Sequence, residues 1–371
     1  MKAMCFLVCV VAAATAGACV SEPGYEVTRL ALDDRPEWEQ DDEPGSDEKD
    51  DDDPEPDPEP EPGDCPPEGC GDNSPVVDGI YFGQLHLWGL ANSHDVMVVR
   101  AETASSTPIT LELVDRDRLR GVDAQGGVVA EHQALVGVRI IVRKGEGPEK
   151  VIRIARVGST QHWVGTHLPI ETYEFQFEYL QDNVRYQLPL CSKGTGDATK
   201  VNALVFGHEL YDPETKNITP GSPTDGWVNI ACKGSAVYKM HKIGYTRTAQ
   251  GKLGIWTTQA QRRAMFNAWT ANVCGDGYSF TQAGEKITLR ESLNILPADS
   301  MYLVPTRTYE AIWDEHGAVC LNTPRLADKV PTILHQIQQR CGQLPTCDST
   351  MLNNWQHHGY VLVGNPYPPS P

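Results

Sequence analysis

The chain has 371 residues and a formal net charge of −19. The charge is confined to one segment: residues 1–72 carry 22 Asp/Glu against 4 Lys/Arg, and residues 73–371 are nearly balanced, with 28 against 27. A folded part that close to neutral has no broad basic face, which argues against nucleic acid as a partner.

Residues 1–19 open with Lys2, run apolar from Met4 to Ala18 and end in Ala16-Gly17-Ala18-Cys19. The run is too short to span a bilayer as a stable helix, and its small residues fit a cleaved export signal. A cysteine directly after them resembles a bacterial lipobox, with Ala16 where leucine is usual. This predicts a lipid on Cys19 and a protein of the cell envelope, held at the outer membrane or cell surface. An ordinary secretory signal is the alternative.

Residues 20–73 contain Asp50-Asp51-Asp52-Asp53 and then prolines alternating with acids from Pro54 to Pro62. Few residues there can enter a core, so the ordering entropy is not offset and a disordered linker is predicted. Proline and like-charge repulsion both extend such a chain, which reads as a stalk. Cation binding by its aspartates would be weak, because nothing fixes their geometry.

Of 11 cysteines, Cys5, Cys9 and Cys19 belong to the leader. The others are Cys65, Cys70, Cys191, Cys232, Cys274, Cys320, Cys341 and Cys347, an even number that suits disulfides in an exported chain. Zinc is the competing reading, but there is no Cys-x-x-Cys pair and no histidine pair to complete a ligand set. Cys65 with Cys70, and Cys341 with Cys347, are close enough in sequence to pair locally. No metal or cofactor is predicted.

Strand signals dominate the remainder. Thr172–Tyr179 alternates polar and aromatic residues, as a strand with one buried face does. Arg139–Val142 and Val151–Ile154 are β-branched runs joined by Lys144-Gly145-Glu146-Gly147-Pro148, a hairpin pattern. Further turns are predicted at 123–127, 248–251, 282–285 and 314–317, each with a glycine for positive φ. Two helices are predicted. Thr258–Asn272 places Ala264, Met265, Ala268 and Trp269 at helical spacing, with Arg262 and Arg263 facing out. Lys329–Arg340 places Val330, Ile333, Leu334 and Ile337 on one face, with Pro331 in the first turn. The fold class is therefore a β-rich α+β of antiparallel sheets with two short-to-medium helices, stabilised by disulfides. Its expected parts are a β-rich region over 74–168 and a mixed domain over 169–371.

The mixed part resembles the bacterial ADYC domain family. The naming cysteine motif maps onto Ala271-Asn272-Val273-Cys274-Gly275-Asp276-Gly277-Tyr278-Ser279, of which Ala271 and Cys274 match. Leu188-Pro189-Leu190-Cys191, Ala231–Ala236 with Gly244-Tyr245, Tyr309–Asp314 with Gly317–Cys320, and Gly359–Leu362 follow in family order. The resemblance implies an exported, often lipid-anchored protein of undefined activity, and it carries over no catalytic residue. It implies structural roles for Cys191, Cys232, Cys274 and Cys320, and pairs of Cys191 with Cys232 and Cys274 with Cys320 are expected. Gly275 is read as a helix C-cap that leads into a strand at Tyr278–Thr281. Relatives carry cysteine where this chain has Met240 and Met265. If those cysteines form one disulfide, the two methionines should be buried and in contact here.

Chemistry-bearing residues are sparse. Cys274 with His241 is the one nucleophile–base pair to weigh, and a disulfide at Cys274 removes it. Gly207-His208-Glu209 lacks the second histidine of a metalloprotease helix, and no Gly-x-Ser-x-Gly turn is present. His357-His358 reads as an exposed doublet, Asn217-Ile218-Thr219 as a formal sequon, and Gly83–His94, with His86, Trp88 and His94, as half-buried aromatic packing. The leading expectation is a non-enzymatic binding or structural module for a protein or glycan ligand, tied to the membrane by its lipid. The alternative is an exported hydrolase assembled in three dimensions from His208, Glu209, His241 and Asp276.

Overall fold

The computed structural model describes residues 75–364, except 78, 116, 164–168, 182–183, 195–196, 201, 223–224, 248–256, 283–284, 286 and 297–308. The leader with Cys19, the acidic linker, Cys65 and Cys70, and the turn expected at 248–251 lie outside the described residues.

Two-residue strands β1 (Val76–Val77) and β2 (Ile80–Tyr81) form a small hairpin at the start. Then come β3 (Gln84–His86), β4 (Val96–Glu102), β5 (Pro108–Val114), β6 (Arg118–Val122), β7 (Val128–Glu131), β8 (Arg139–Lys144) and β9 (Lys150–Thr160). They are followed by β10 (Ile170–Gln181), β11 (Val184–Pro189), the hairpin β12 (Ser192–Gly194) and β13 (Asp197–Lys200), β14 (Ala203–Gly207), the hairpin β15 (Glu209–Tyr211) and β16 (Ile218–Pro220), and β17 (Trp227–Cys232). An eleven-stranded sheet runs β3-β17-β14-β10-β9-β8-β4-β5-β6-β7, with β11 paired to β10 off this path. Every described strand pair is antiparallel. The boundary expected at 168/169 falls between β9 and β10, which pair from Thr160↔Ile170 to Val151↔Glu178, so the sheet continues across it.

The side-chain alternation explains how this sheet builds two cores. On β14, Ala203 and Val205 join a core lined by the sheet itself, with Tyr173, Phe175 and Phe177 of β10, Val228 and Ile230 of β17 and Leu111 of β5. Leu204 and Phe206 point the other way, into a second core built with helices. A strand covered on both faces reads as an unbroken apolar run, as Ala203–Phe206 does.

The second core holds helices α1 (Ala236–Lys242) and α2 (Gln259–Thr270) and strands β18 (Thr288–Glu291), β19 (Tyr309–Asp314), β20 (Gly317–Leu321) and β21 (Val361–Gly364). These strands form a four-stranded sheet in the order β18-β21-β19-β20. Helices α3 (Ile333–Cys341) and α4 (Ser349–Asn353) lie between β20 and β21. Met240 and Met265 are both fully buried in the second core. Helix α2 opens on a capping box in which Thr258 Oγ1 accepts from the Gln261 N–H and Gln261 Oε1 from the Thr258 N–H.

Several expectations are corrected. Arg262 is buried, at 4 % exposure, because it meets a buried acid. Helix α3 begins at Ile333, after Thr332 rather than around Pro331, and Leu334 lies on its exposed side. The C-cap of α2 is Ala271, at φ 46°, and not Gly275. No strand forms at Tyr278–Thr281. Gly275 is required for another reason: a Cβ there would sit 1.7 Å from the His316 carbonyl oxygen, so the loop after α2 presses its backbone onto the β19–β20 turn.

Candidate functional site

The cysteines fix the frame. Cys191 bonds Cys232, as expected, and joins β17 to the segment after β11. Cys274 bonds Cys341, and Cys320 bonds Cys347, so the expected pairs of Cys274 with Cys320 and Cys341 with Cys347 are both corrected. The reason is the path of residues 342–347. The Leu321 N–H donates to the Pro345 carbonyl at 2.9 Å, and the Cys347 N–H donates to Asn322 Oδ1 at 2.8 Å. This keeps Cys347 beside β20, while Cys341 stays on the last turn of α3 facing Cys274. A disulfide at Cys274 also removes it as a nucleophile for His241.

The residues weighed for hydrolysis separate into three networks. Glu209, on β15, forms a buried ion pair with Arg262 of α2 and accepts from the Tyr211 hydroxyl at 3.1 Å. Burial and then the charge of Glu209 push the Tyr211 phenol well above its ordinary pKa. The neighbouring His208 occupies a left-handed turn, at φ 74°, and its carbonyl accepts from the Gly221 N–H. His241, on α1, stacks on Phe206 with ring centroids 4.5 Å apart, and its Nδ1 lies 2.8 Å from Thr246 Oγ1. Its Nε2 lies 3.9 Å from Asp117 Oδ2. An acid, a histidine and a hydroxyl thus form a row, but all three are closed to solvent, and in this conformation the row has no access to a substrate. Asp276 is partly exposed and pairs with Arg340, whose guanidinium lies 4.4 Å from the centre of the Tyr278 ring. Among the described residues, no group of three or more His, Cys, Asp or Glu is gathered to hold a metal ion.

Two further buried acids went unrecognised in the sequence. Glu310 of β19 receives Arg325 in a two-pronged contact: Nε lies 2.9 and 3.0 Å from the two carboxylate oxygens, and Nη2 lies 2.7 Å from Oε2. The same Nη2 donates to the Ala268 carbonyl at 2.8 Å, which ties the end of α2 to β19. Glu291 accepts from the Leu293 and Leu296 N–H groups, and burial raises its pKa despite those bonds. For Glu310 the missing signal is long range: Arg325, 15 residues away, is brought to it by packing, whereas Glu291 is held by its own turn at Leu293 and Leu296.

The surface offers a different kind of group. Trp88 and Leu90 follow β3, the end strand of the large sheet, and are 51 % and 57 % exposed. Both backbone N–H groups converge on His86 Nδ1 at 3.2 Å, which folds the loop into a tight turn and leaves the ring's proton on Nε2. His86 is buried, and its ring stands edge-on to both Trp88 and Trp227. A Cβ at Gly226 would lie 2.8 Å from Trp88 Cδ2 and 2.9 Å from Cε3. Cδ2 is a ring-fusion carbon, so the Gly226 backbone lies against one indole face and the ring is held as a platform. The half-buried packing expected over Gly83–His94 holds for His94, while His86 is buried outright and Trp88 presents its free side to solvent. His357 and His358 are exposed, as expected.

No curated protein and no solved structure matches the chain. The model of the ADYC domain matches residues 132–327, just over half of the 371. That span contains β8 to β20, both buried ion pairs, and Cys191, Cys232, Cys274 and Cys320. The chain belongs to the ADYC domain family.

Proposed function

We propose that this protein is an exported cell-envelope lipoprotein whose folded part is a non-enzymatic binding or structural module. A lipid on Cys19 joins it to the outer membrane or cell surface, and residues 20–73 serve as a stalk. The observation that carries this reading is the set of three disulfides in the folded part. Such bonds persist in oxidising compartments and are rare in a reducing cytosol. The leader ending at Cys19 supplies a route to that compartment, and the stalk's composition supplies reach.

Binding is favoured over hydrolysis by where the polar and aromatic groups lie. Glu209 is held by Arg262, and His241 sits in a closed row. Trp88, by contrast, is held in place by Gly226, and both it and Leu90 are open to a partner. The test is the intact mass and N-terminal peptide of the mature protein, with fractionation of a Cys19→Ala variant. The expected result is a mature chain that starts at acylated Cys19, and a variant that leaves the membrane fraction. A mature N-terminus elsewhere without lipid, or a cytosolic chain with reduced thiols, overturns the proposal.

A further inference from the structure

We propose that the Trp88–Leu90 loop is a membrane-contact site that seats the folded part on a lipid surface independently of the lipid on Cys19. The partner it fits is the interface between headgroups and acyl chains of a bilayer. This rests on the preceding reading only for which membrane is near; the loop's own affinity for lipid does not depend on it.

The chemistry of the loop selects this partner. From Gln84 to His94 the chain carries no Asp, Glu, Lys or Arg. Its two large exposed side chains are a tryptophan and a leucine, at 51 % and 57 % exposure, with the small Ala91 and Ser93 exposed beside them. Tryptophan settles where apolar and wet surfaces meet, and leucine beside it adds apolar area with no polar group to satisfy. The ring is already immobilised against Gly226 and His86, so little side-chain entropy is lost on contact. A sugar would stack on Trp88 but gains nothing from Leu90, the more exposed of the two.

Position supports the same partner. The loop packs on the segment where the described chain begins: Asn92 Nδ2 donates to the Tyr81 carbonyl at 3.4 Å, and the Tyr81 and His94 rings are 4.6 Å apart. Tyr81 pairs with Val76, which is also exposed. Cys19 and Pro75 are separated by 55 residues, a length that spans at most about 200 Å. A membrane holding Cys19 is therefore always within reach, and a weak contact becomes an intramolecular one. Charge does not drive it. Asp95 and Lys144 flank the loop with opposite signs, Lys144 Nζ donating to the Gly79 carbonyl at 3.0 Å. The acidic stalk disfavours anionic lipid. Contact should therefore occur on zwitterionic lipid and persist at high salt.

The experiment is flotation of the mature full-length chain carrying Cys19→Ser, which has no lipid, with vesicles of phosphatidylcholine and phosphatidylethanolamine. The unlipidated chain is expected to float, in low and high salt alike. Trp88→Ala with Leu90→Ser should lower the vesicle-bound fraction about tenfold or more. Val128→Ser with Val129→Ser, an exposed apolar pair on the opposite end strand β7, should change it by no more than about twofold. Circular dichroism and thiol counting confirm that each variant is folded and disulfide-bonded. No flotation of the unlipidated chain, equal loss in both double variants, binding that needs anionic lipid, or binding only to isolated cell-wall glycan overturns the proposal. None of these outcomes bears on the lipid at Cys19, which is read separately from the mature N-terminus.

Discussion

Replacing Arg325 with methionine should cost more than any exposed substitution in this fold. The side chains of Arg325 and Glu310 are 2 % and 1 % exposed. In the variant, Glu310 keeps only the Arg325 backbone N–H, at 3.0 Å, and the carbonyls of Ala268 and Trp269 lose the guanidinium donor, though Ala268 still accepts from the Ala271 N–H. Removing one member of a buried pair leaves an uncompensated charge, which typically costs about 3–5 kcal/mol. Against a total stability of about 5–15 kcal/mol this is a large fraction, and it lowers the melting midpoint by roughly 10 °C. Glu310→Leu combined with Arg325→Met removes both charges and should recover most of the loss, giving a coupling of at least about 2 kcal/mol in the double-mutant cycle. The measurement is urea or thermal unfolding of the oxidised protein. The exposed pair of Arg100 and Glu149, at 2.8 Å, is the internal control and should contribute less than about 1 kcal/mol. If Arg325→Met costs no more than that control, or the double variant is worse than the single, the pair is not what ties α2 to β19.

Two other outcomes follow from the same coordinates. Replacing Cys191 and Cys232 together by serine opens a link between residues 41 apart, which chain entropy values at about 4 kcal/mol; a shift in the urea midpoint worth less than about 1 kcal/mol would place the stabilisation elsewhere. Lys242 is pushed down to about 8 by burial and the nearby charge of Lys233. The unfolded chain therefore holds its proton longer than the fold does, and stability should rise with pH from about 8 toward 10. Lys242→Met should weaken that rise without removing it, because burial and then the charge of Arg325 also lower the pKa of Lys239. The window must stop near 10, where unfolding begins to favour ionised tyrosine, because Tyr173, Tyr211 and Tyr245 are held well above that value by burial.

Local patterns carried much of the fold. The aromatic alternation of Thr172–Tyr179 became β10, and the glycine turn at Lys144–Pro148 joins β8 to β9. Helix α2 begins where Thr258 supplies a cap. Helix α1 was missed because seven residues give too little periodicity, and its first turn rests on one capping serine, Ser235. Arg262 reads as exposed on a helical wheel, since the acid that buries it lies 53 residues away on β15. The disulfides show the same limit. Cys341 and Cys347 are near in sequence, yet the strand-like run beside β20 separates them. Trp88 was visible as a residue, but its placement depends on Gly226, more than a hundred residues later.

The family match and the folded unit do not have the same borders, and the topology shows why. Residues 132–327 omit β3, which pairs with β17 from Trp227↔His86 to Asn229↔Gln84, and they omit β4, which pairs with β8. At the other end they omit β21, which lies between β18 and β19 in the smaller sheet. Without β21 both neighbours would present unpaired backbone to the second core, a state that buried strands do not tolerate. The omitted C-terminal segment also supplies Cys341 and Cys347, the partners of Cys274 and Cys320. The matched region is therefore the centre of the structure, completed from both sides in sequence. The N-terminal completion also places the Trp88–Leu90 loop beside the start of the described residues, so the strand at the end of the large sheet positions the surface through which contact is proposed.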